Sequence, residues 1–170
     1  MKINEKLIAI IPARSGSKRI KNKNIVNFFG KPIISYTINL LKKTGIFETI
    51  HVSTDSEKIR KIVEKNNLKI DFLRPKRLAN DKIGVYYVLK YVIEKYESMN
   101  ISFKAAILVY PCSPLITKKD IIDSYSLLKK NKYQYPILSV SEFMSAPERS
   151  LSLDKNNYGV TTTILTTSLK

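Results

Sequence analysis

The sequence predicts an α/β fold in which a mostly parallel sheet carries helices on both faces. Short apolar runs rich in β-branched residues alternate four times with segments of helical periodicity over about 140 residues. This alternation is typical of parallel sheets with right-handed crossovers. Ligands of such sheets bind beyond the carboxyl ends of the strands. We therefore expect the functional site to be formed by the loops that follow the strands, which are 13–24, 54–55, 74–81 and 110–115.

Five segments of the chain are predicted strands. The first is the apolar run Leu7–Ile11, which Pro12 ends. The other four are Thr49–Ser53, Lys69–Leu73, Ala105–Val109 and Tyr135–Val140. Between the first two strands, Val26–Gly30 is expected to form a short hydrophobic bend.

Four segments with apolar residues at helical spacing are the predicted helices. The first begins at Lys31-Pro32, because proline suits the first turn of a helix, and ends at Gly45. The other three run from about Ser56 to Asn66, from Gly84 to Met99 and from Ile121 to Lys130. Thr117 with Asp120 predicts a cap for the last of these helices.

The second strand and the loop after it carry polar side chains with more than one interpretation. Thr54 and Glu57 fit a capping box at the start of the second helix. Asp55 lies at the carboxyl end of a strand, so it is either a site residue or a helix-capping group. His51 lies inside the strand and is interpreted as a structural, partly buried histidine rather than a catalytic one.

The most informative stretch is the basic loop that follows the first strand and closes at Asn24. Its candidate phosphate-binding residues are Arg14, Ser15, Gly16, Ser17, Lys18, Lys23 and Asn24. Arg14 offers a planar fork and Lys18 a point charge, while Gly16 lets the backbone approach a ligand closely. Ser17 separates Gly16 from Lys18, which excludes a Walker loop, and a single glycine excludes a dinucleotide fingerprint. The alternative is a basic surface loop that binds nothing.

Composition limits the class of protein. A chain of 170 residues with 44% hydrophobic and 26% charged residues fits one globular domain with a real core. No apolar run approaches the ~20 residues of a membrane span, and no signal peptide is recognisable. The single cysteine excludes an internal disulfide and predicts a cytoplasmic protein. The single histidine argues against a histidine-rich metal site and a Ser-His-Asp triad.

The net charge of +16 raises the hypothesis of a nucleic-acid-binding protein. The basic residues are 24 lysines and 6 arginines, spread along the whole chain rather than gathered in one arm. The aromatic residues, mostly tyrosine, show no paired stacking motif of the RNA-recognition type. Nucleic acid is therefore an unlikely partner, and its binding is a minor alternative.

Several motifs together resemble the sialic-acid-type (acylneuraminate) cytidylyltransferases, over about residues 7–151. They occur in the family's order and spacing: Ile10-Ile11-Pro12-Ala13-Arg14-Ser15-Gly16-Ser17-Lys18-Arg19, Lys23-Asn24, Gly30-Lys31-Pro32-Ile33, Val52-Ser53-Thr54-Asp55-Ser56, Arg74-Pro75, Leu78-Ala79, Pro111 and Ser113-Pro114-Leu115. The resemblance implies a Rossmann-like fold of the nucleotide-diphospho-sugar transferase type. It also implies an enzyme that joins CTP to an acidic nine- or eight-carbon (nonulosonic or related) sugar and releases pyrophosphate. Tyr110, and less closely Pro147 with Arg149, are similar to the pseudaminic acid branch.

The resemblance also implies roles for individual residues. The basic loop and Arg74 would hold the CTP phosphates and ribose, with Arg14 and Lys18 stabilising the charge of the leaving pyrophosphate. Tyr110 and Ser113 would border the acid sugar. A Mg²⁺ ion that bridges phosphate oxygens is expected for this transfer. Members of the family form homodimers.

The sequence departs from the family pattern in two places. Ile83 and Val85 stand in the 79–85 loop where hydroxyl residues are common. The Asp-x-Asp/Glu pair that binds the metal and the dimerisation segment are not found, so we expect a nucleotide-binding domain at 1–151 and an atypical tail at 152–170.

Several alternatives stay open for the tail and for the function. The Thr-rich segment 156–170 has two interpretations. It could form one further strand over Val160–Thr166, or it could be the product of a frameshift or premature stop. For the function, the alternatives are an enzyme like the Kdo cytidylyltransferases and an inactive nucleotide-binding remnant of the same fold.

Overall fold

The protein is described here by a computed structural model, which covers residues 5–17, 20–140, 151–153 and 159–161. The strands are β1 (Leu7–Pro12), β2 (Asn27–Phe28), β3 (Lys31–Pro32), β4 (Thr49–Ser53), β5 (Ala105–Leu108), β6 (Leu151–Leu153) and β7 (Gly159–Thr161). The helices are α1 (Ile33–Thr44), α2 (Glu57–Lys65), α3 (Val85–Glu97) and α4 (Lys118–Lys130). Two short 3-10 turns lie at Lys23–Ile25 and Lys76–Leu78.

The main sheet has three parallel strands in the order β4-β1-β5. Ile10 of the central strand lies opposite His51 on one side and Leu108 on the other. Every residue of Leu7–Ile11 is buried, as expected for a central parallel strand that is covered on both faces. The strands predicted at Leu7–Ile11 and Thr49–Ser53 are confirmed, and the one predicted at Ala105–Val109 ends one residue earlier.

Helices cover both faces of this sheet, which confirms the predicted α/β class. Successive side chains of β1 point to opposite faces, so its residues divide between two hydrophobic clusters. The first cluster joins β1 to α1, α2 and α4 through Ala9, Ile11, Ile34, Ile38, Ile59, Val63 and Ile121. The second joins β1 to α3 through Ile8, Ile10, Val92 and Tyr96. No helix in the described part of the chain is long and apolar enough to cross a membrane.

Helix ends follow the predicted signals in two of four cases. The helix predicted to begin at Lys31-Pro32 begins at Ile33 instead, because Lys31 and Pro32 form β3 and Pro32 is the N-cap. Gly45 ends α1 with a φ of 70°, and its N–H donates to the Lys42 carbonyl at 3.3 Å. Thr117 and Asp120 form the predicted capping box at α4.

The capping box predicted for Thr54 and Glu57 at the start of α2 is wrong. The cap is Ser56, whose Oγ accepts a hydrogen bond from the Ile59 N–H at 3.4 Å. Thr54 instead accepts a hydrogen bond from the Ser56 N–H at 3.2 Å. The helix therefore begins at Glu57, one residue later than the predicted start at about Ser56.

The bend expected at Val26–Gly30 contains a two-residue hairpin turn between β2 and β3. Phe29 and Gly30 both have positive φ, 45° and 82°. This combination is required by a type I′ turn, in which glycine is preferred at such positions. Tyr36 secures the turn, because its hydroxyl donates to the carbonyls of Phe28 and Phe29 at 2.9 and 3.2 Å.

The strand predicted at Lys69–Leu73 is not formed. Residues two apart in a strand share a face, but Ile70 packs into the first hydrophobic cluster and Phe72 against the second. The segment therefore passes from one face of the sheet to the other instead of pairing with β4. Just after the segment, the Arg74 N–H donates to the carbonyl of Thr54, the residue that follows β4, at 2.7 Å.

The strand predicted at Tyr135–Val140 is also absent. Lys132 and Tyr133 have positive φ and turn the chain directly after α4. Leu138 and Val140 are 78% and 90% exposed, so the apolar pattern of this segment does not reflect burial against a described element.

The tail contains one small antiparallel pair of strands. Leu151–Leu153 pairs with Gly159–Thr161, in register Ser152 opposite Val160. Of the further strand considered at Val160–Thr166, the first two residues belong to β7, and 162–166 lie outside the described residues. The segment Pro147–Arg149 lies outside them as well.

Candidate functional site

A pocket of about 270 Å³ lies at the carboxyl ends of β1 and β5. This is the edge of the sheet where the sequence predicts a site. The lining residues include Arg14, Ser17, Lys23, Asn24, Arg74, Leu78, Asn80, Asp81, Ile83, Val85, Val88, Tyr110, Pro111 and Cys112. Six of the predicted site residues are thus brought together around one cavity, although they span almost a hundred positions of the chain.

The loop after β1 supplies one wall of the pocket. Arg14 forms an ion pair with Asp81 on the opposite wall, and their side chains are 29% and 41% exposed. A surface ion pair contributes little to stability, so Arg14 is available to an anion that replaces Asp81. Ser17 also lines the pocket. Lys18 and Arg19 lie outside the described residues.

Asp55 fixes the conformation of this loop. Its Oδ1 accepts from the Ser15 N–H at 3.0 Å, and its Oδ2 accepts from the Ser15 hydroxyl at 2.8 Å. Asp55 is therefore not a helix cap, and both the N–H and the hydroxyl of the predicted site residue Ser15 donate to it. Among the described residues, a Cβ on Gly16 would meet the Arg14 side chain at 3.7 Å, an ordinary van der Waals contact.

Lys23 and Asn24 form the turn that closes the basic loop. Asn24 is buried, and its Nδ2 donates to the Arg14 carbonyl at 2.9 Å. The Cys112 thiol reaches the Lys23 carbonyl at 3.4 Å and Asn24 Oδ1 at 3.5 Å. Burial raises the pKa of this thiol, and the charge of Lys23 opposes that shift.

Arg74 lies beneath the pocket and is only 5% exposed. Its guanidinium donates to the Ser53 carbonyl and, at 3.4 Å, to the Leu78 carbonyl. Burial lowers its pKa to about 10, with Asp55 opposing the shift and Arg14 adding to it. The side chain thus remains charged at neutral pH and holds two segments of backbone together.

The wall opposite the basic loop is formed by the segment from Leu78 to Val88. It presents apolar side chains, including Ile83 and Val85, beside the polar Asn80 and Asp81. Ile83 and Val85, which depart from the family pattern, therefore do line the cavity. Asn80 and Asp81 were not predicted individually, although the loop that carries them was.

The loop after β5 divides its residues between two cavities. Tyr110 lines the main pocket and is 54% exposed. Ser113 lines a neighbouring pocket of about 320 Å³, together with Lys31 and Lys43. The two residues expected to border the acid sugar therefore do not share a pocket.

His51 lies outside the pocket, as the sequence predicts for a structural histidine. It is 1% exposed, stacks on Phe72 with ring centroids 4.5 Å apart, and contacts the Tyr96 hydroxyl through Nδ1 at 3.1 Å. The Tyr96 hydroxyl donates to Asp71 at 2.8 Å, so His51 Nδ1 is the donor toward Tyr96. Burial lowers the pKa of His51 to about 4, and this ring is neutral at physiological pH.

The described residues contain no group of three or more His, Cys, Asp or Glu side chains that could hold a metal ion. The carboxylates of Asp55 and Asp81 already accept hydrogen bonds, from Ser15 and Arg14 respectively. Chemically, the pocket combines fixed cations with an apolar wall, and this combination suits a phosphorylated ligand that carries a flat, partly apolar group.

Comparison with known proteins places the chain in a family. A family model described as Cytidylyltransferase matches residues 8–164, and so extends past residue 151, where the resemblance was expected to end. A pseudaminic acid cytidylyltransferase of Campylobacter jejuni is 35% identical over 152 residues, which cover 89% of this chain and 65% of that protein. An N-acylneuraminate cytidylyltransferase of Escherichia coli is 38% identical over 131 residues, which cover 76% of this chain and 30% of the relative.

Solved structures support the same fold. A CMP:2-keto-3-deoxy-manno-octonic acid synthetase complexed with CTP superposes with a TM-score of 0.64, at 21% identity, over 75% of this chain and 48% of that one. This chain thus spans less than two thirds of the length of these relatives. The family match covers most of its residues, including every loop that forms the pocket, and the chain therefore belongs to the cytidylyltransferase family.

Proposed function

We propose that this protein is a nucleotidyltransferase that transfers CMP from CTP to an acidic sugar of the sialic acid type, pseudaminic acid or N-acetylneuraminic acid. The observation that carries the proposal is the pocket at the carboxyl edge of the sheet, where Arg14 and Lys23 face an apolar wall. The family membership supports the same reaction. Pseudaminic acid is favoured as the sugar because the Campylobacter jejuni relative of that name aligns with 89% of this chain.

In the proposed reaction, the anomeric hydroxyl of the sugar attacks the α-phosphorus of CTP. A phosphorus–oxygen bond to the sugar forms and the hydroxyl proton passes to solvent. The bond between the α-phosphorus and the oxygen that bridges to the β-phosphate breaks, and pyrophosphate leaves with the bonding electron pair. Negative charge builds on the leaving oxygens, so cations fixed by the fold lower the barrier. Arg14, Lys18 and Lys23 are the proposed cations, and Ser17 is the proposed hydrogen-bond donor to phosphate.

The other pocket residues have proposed binding roles. Ile83 and Val85 offer apolar contact to the face of the base, and Tyr110 borders the sugar. Asn24 and Ser15 support the conformation of the basic loop, since the Asn24 side chain donates to the Arg14 carbonyl and the Ser15 hydroxyl donates to Asp55. Arg74 supports the pocket floor and contributes positive charge to it.

A divalent metal, proposed to be Mg²⁺, is expected for a cytidylyltransferase, where it would neutralise phosphate charge. The described residues do not fit a protein-held metal site, because no three suitable side chains cluster there. We therefore assign no step of the reaction to metal ligands of this chain.

The test is pyrophosphate release by the full chain with CTP, MgCl₂ and either pseudaminic acid, N-acetylneuraminic acid or Kdo. We expect one pyrophosphate per CMP-sugar, with the highest kcat/KM for one of the first two sugars. Highest activity with Kdo would identify the Kdo-type alternative. CTP binding without pyrophosphate release would identify an inactive nucleotide-binding protein, and the absence of CTP binding would refute the proposal.

The minor alternative, nucleic-acid binding, remains a prediction from the net charge of +16. It is tested by titrating arbitrary RNA at several salt concentrations. Tight binding with a steep salt dependence, together with no effect of CTP, would favour it.

A further inference from the structure

We propose that Thr37 is a positioning residue for the nucleotide pocket, because its hydroxyl holds the loop that forms one wall. Thr37 lies in the middle of α1 and is 1% exposed. Its Oγ1 donates to the carbonyls of Tyr110 and Pro111, at 3.4 and 3.3 Å, so one proton is shared between two acceptors. The inference rests on the proposed function and extends it to a residue that contacts no substrate.

A second threonine of the same helix shows what is unusual about Thr37. The buried Thr44 donates within α1, to the Leu41 carbonyl at 2.6 Å. Local bonds of this kind are the common solution for a threonine hydroxyl in a helix. Thr37 instead bonds to a loop more than 70 residues later in the chain, so its hydroxyl links two separate parts of the fold.

The loop that Thr37 holds is connected to the phosphate-binding wall. The Cys112 thiol reaches the Lys23 carbonyl and Asn24 Oδ1, at 3.4 and 3.5 Å. Asn24 in turn donates to the Arg14 carbonyl at 2.9 Å. Hydrogen bonds therefore connect α1 through the loop after β5 to the backbone of Arg14.

Loss of the Thr37 hydroxyl leaves the Tyr110 and Pro111 carbonyls without this donor in a buried setting. The loop then shifts toward other donors, and the pocket loses the geometry that aligns Arg14 with a bound phosphate. We expect a loss of CTP affinity of about 3- to 10-fold, the size expected for one neutral hydrogen bond.

Three variants separate this role from a packing role. Thr37→Val keeps the shape of the side chain and removes the hydroxyl, whereas Thr37→Ser keeps the hydroxyl and removes the methyl group. Thr44→Val is the matched control, since it removes a buried hydroxyl of the same helix that bonds only within that helix. If Thr37→Val does not fold, Thr37→Ala replaces it.

Cys112 is the only cysteine of the chain and reports directly on the loop. The rate at which a disulfide reagent modifies it is measured in the absence of nucleotide, and CTP affinity is measured by calorimetry. We expect Thr37→Val to raise the modification rate about tenfold, because opening of the loop frees the thiol from its acceptors. Thr37→Ser and Thr44→Val should stay close to the wild type in both measurements.

The modification rate needs no bound CTP, so it tests the role of Thr37 even if the proposed function fails. If CTP binds, Thr37→Val should raise Kd and KM for CTP more than it lowers kcat. The inference is overturned if Thr37→Val matches Thr44→Val in modification rate and in CTP affinity. It is also overturned if Thr37→Ser is as impaired as Thr37→Val.

Discussion

Two groups of polar side chains, one buried inside the fold and one at the rim of the pocket, differ in exposure and in the partners they have. The buried group, His51, Arg74 and Tyr96, is at most 5% exposed and is held by backbone carbonyls and ring contacts. The rim group, Arg14 and Asp81, is 29% and 41% exposed and is joined by an ion pair. The two groups therefore do not have the same role.

The difference is clearest for the two arginines. Arg74 donates to the Ser53 and Leu78 carbonyls. A ligand that took over these hydrogen bonds would break a contact between backbone segments of the fold. Arg14 donates to the Asp81 carboxylate, for which a phosphate is a chemical substitute. We infer that the buried group determines stability, whereas the rim group determines ligand affinity.

The largest expected effect is the loss of stability in Arg74→Ala. The variant removes two buried hydrogen bonds donated by a charged group, to the Ser53 and Leu78 carbonyls, each contributing about 1.5–3 kcal/mol, so the free energy of unfolding should fall by about 4 kcal/mol. Urea denaturation measures it. Arg60→Ala is the control, because Arg60 is exposed and pairs only with Glu57 and Glu64 on α2. Lost CTP affinity with unchanged stability would instead make Arg74 a ligand contact.

A slightly smaller effect is expected from acidification. The pKa of His51 is about 4 in the folded protein, below its value of 6.5 in the unfolded chain. The unfolded chain therefore binds the extra proton, and the stability is complete above pH 6.5 and lost as the pH falls toward 4. The loss amounts to about 3 kcal/mol, from the shift at ~1.4 kcal/mol per pH unit.

The measurement compares the free energy of unfolding of the wild type and His51→Gln from pH 7 to pH 4. His51 is the only histidine, so the difference between the two slopes isolates its titration. Parallel curves in this window would contradict the assignment of a neutral buried ring.

The smallest expected change in stability belongs to Arg14→Ala, which should alter binding instead. The free energy of unfolding should change by less than about 1 kcal/mol, as is usual for a surface ion pair. CTP affinity should fall about 10- to 100-fold, because a charge-assisted bond to phosphate is lost. Calorimetry measures this affinity, with Arg60→Ala as the control of equal charge change.

Asp81→Asn sharpens the same comparison. It weakens the rim ion pair but keeps Arg14, so CTP affinity should stay the same or rise by a few fold. A loss as large as that of Arg14→Ala would show that Asp81 contacts the nucleotide and does not merely compete for Arg14.

Strands with apolar or β-branched residues and clear ends were predictable from the sequence. Leu7–Ile11 and Thr49–Ser53 combine apolar or β-branched residues with clear ends, and both form strands. Lys69–Leu73 has the same local pattern, yet Ile70 and Phe72 pack on opposite faces of the sheet. Local periodicity cannot reveal such a crossing, because it depends on the tertiary position of the segment.

The loops of the candidate site were predictable, but the bonds within them were not. The sequence placed Asp55 at the carboxyl end of a strand and left its role open; its bonds to Ser15 join positions 40 residues apart. Thr37 was missed entirely, although a threonine on the apolar face of a helix is a signal that a buried hydroxyl needs a partner. The partner itself follows only from the packing of α1 against the loop after β5.

The central position of β1 has a consequence for the order in which the chain folds. This strand is synthesised before both of its partners, since its register pairs Leu7 with Ala105 and Ile8 with Thr49. At a translation rate of ~5–20 residues per second, the ribosome needs about 5–20 s after β1 to complete the second partner strand, and the apolar side chains of β1 are not yet covered during this time. The strand at the centre of this sheet is thus the one of its three strands that stays exposed longest during synthesis, and it is a segment that a nascent-chain chaperone would bind.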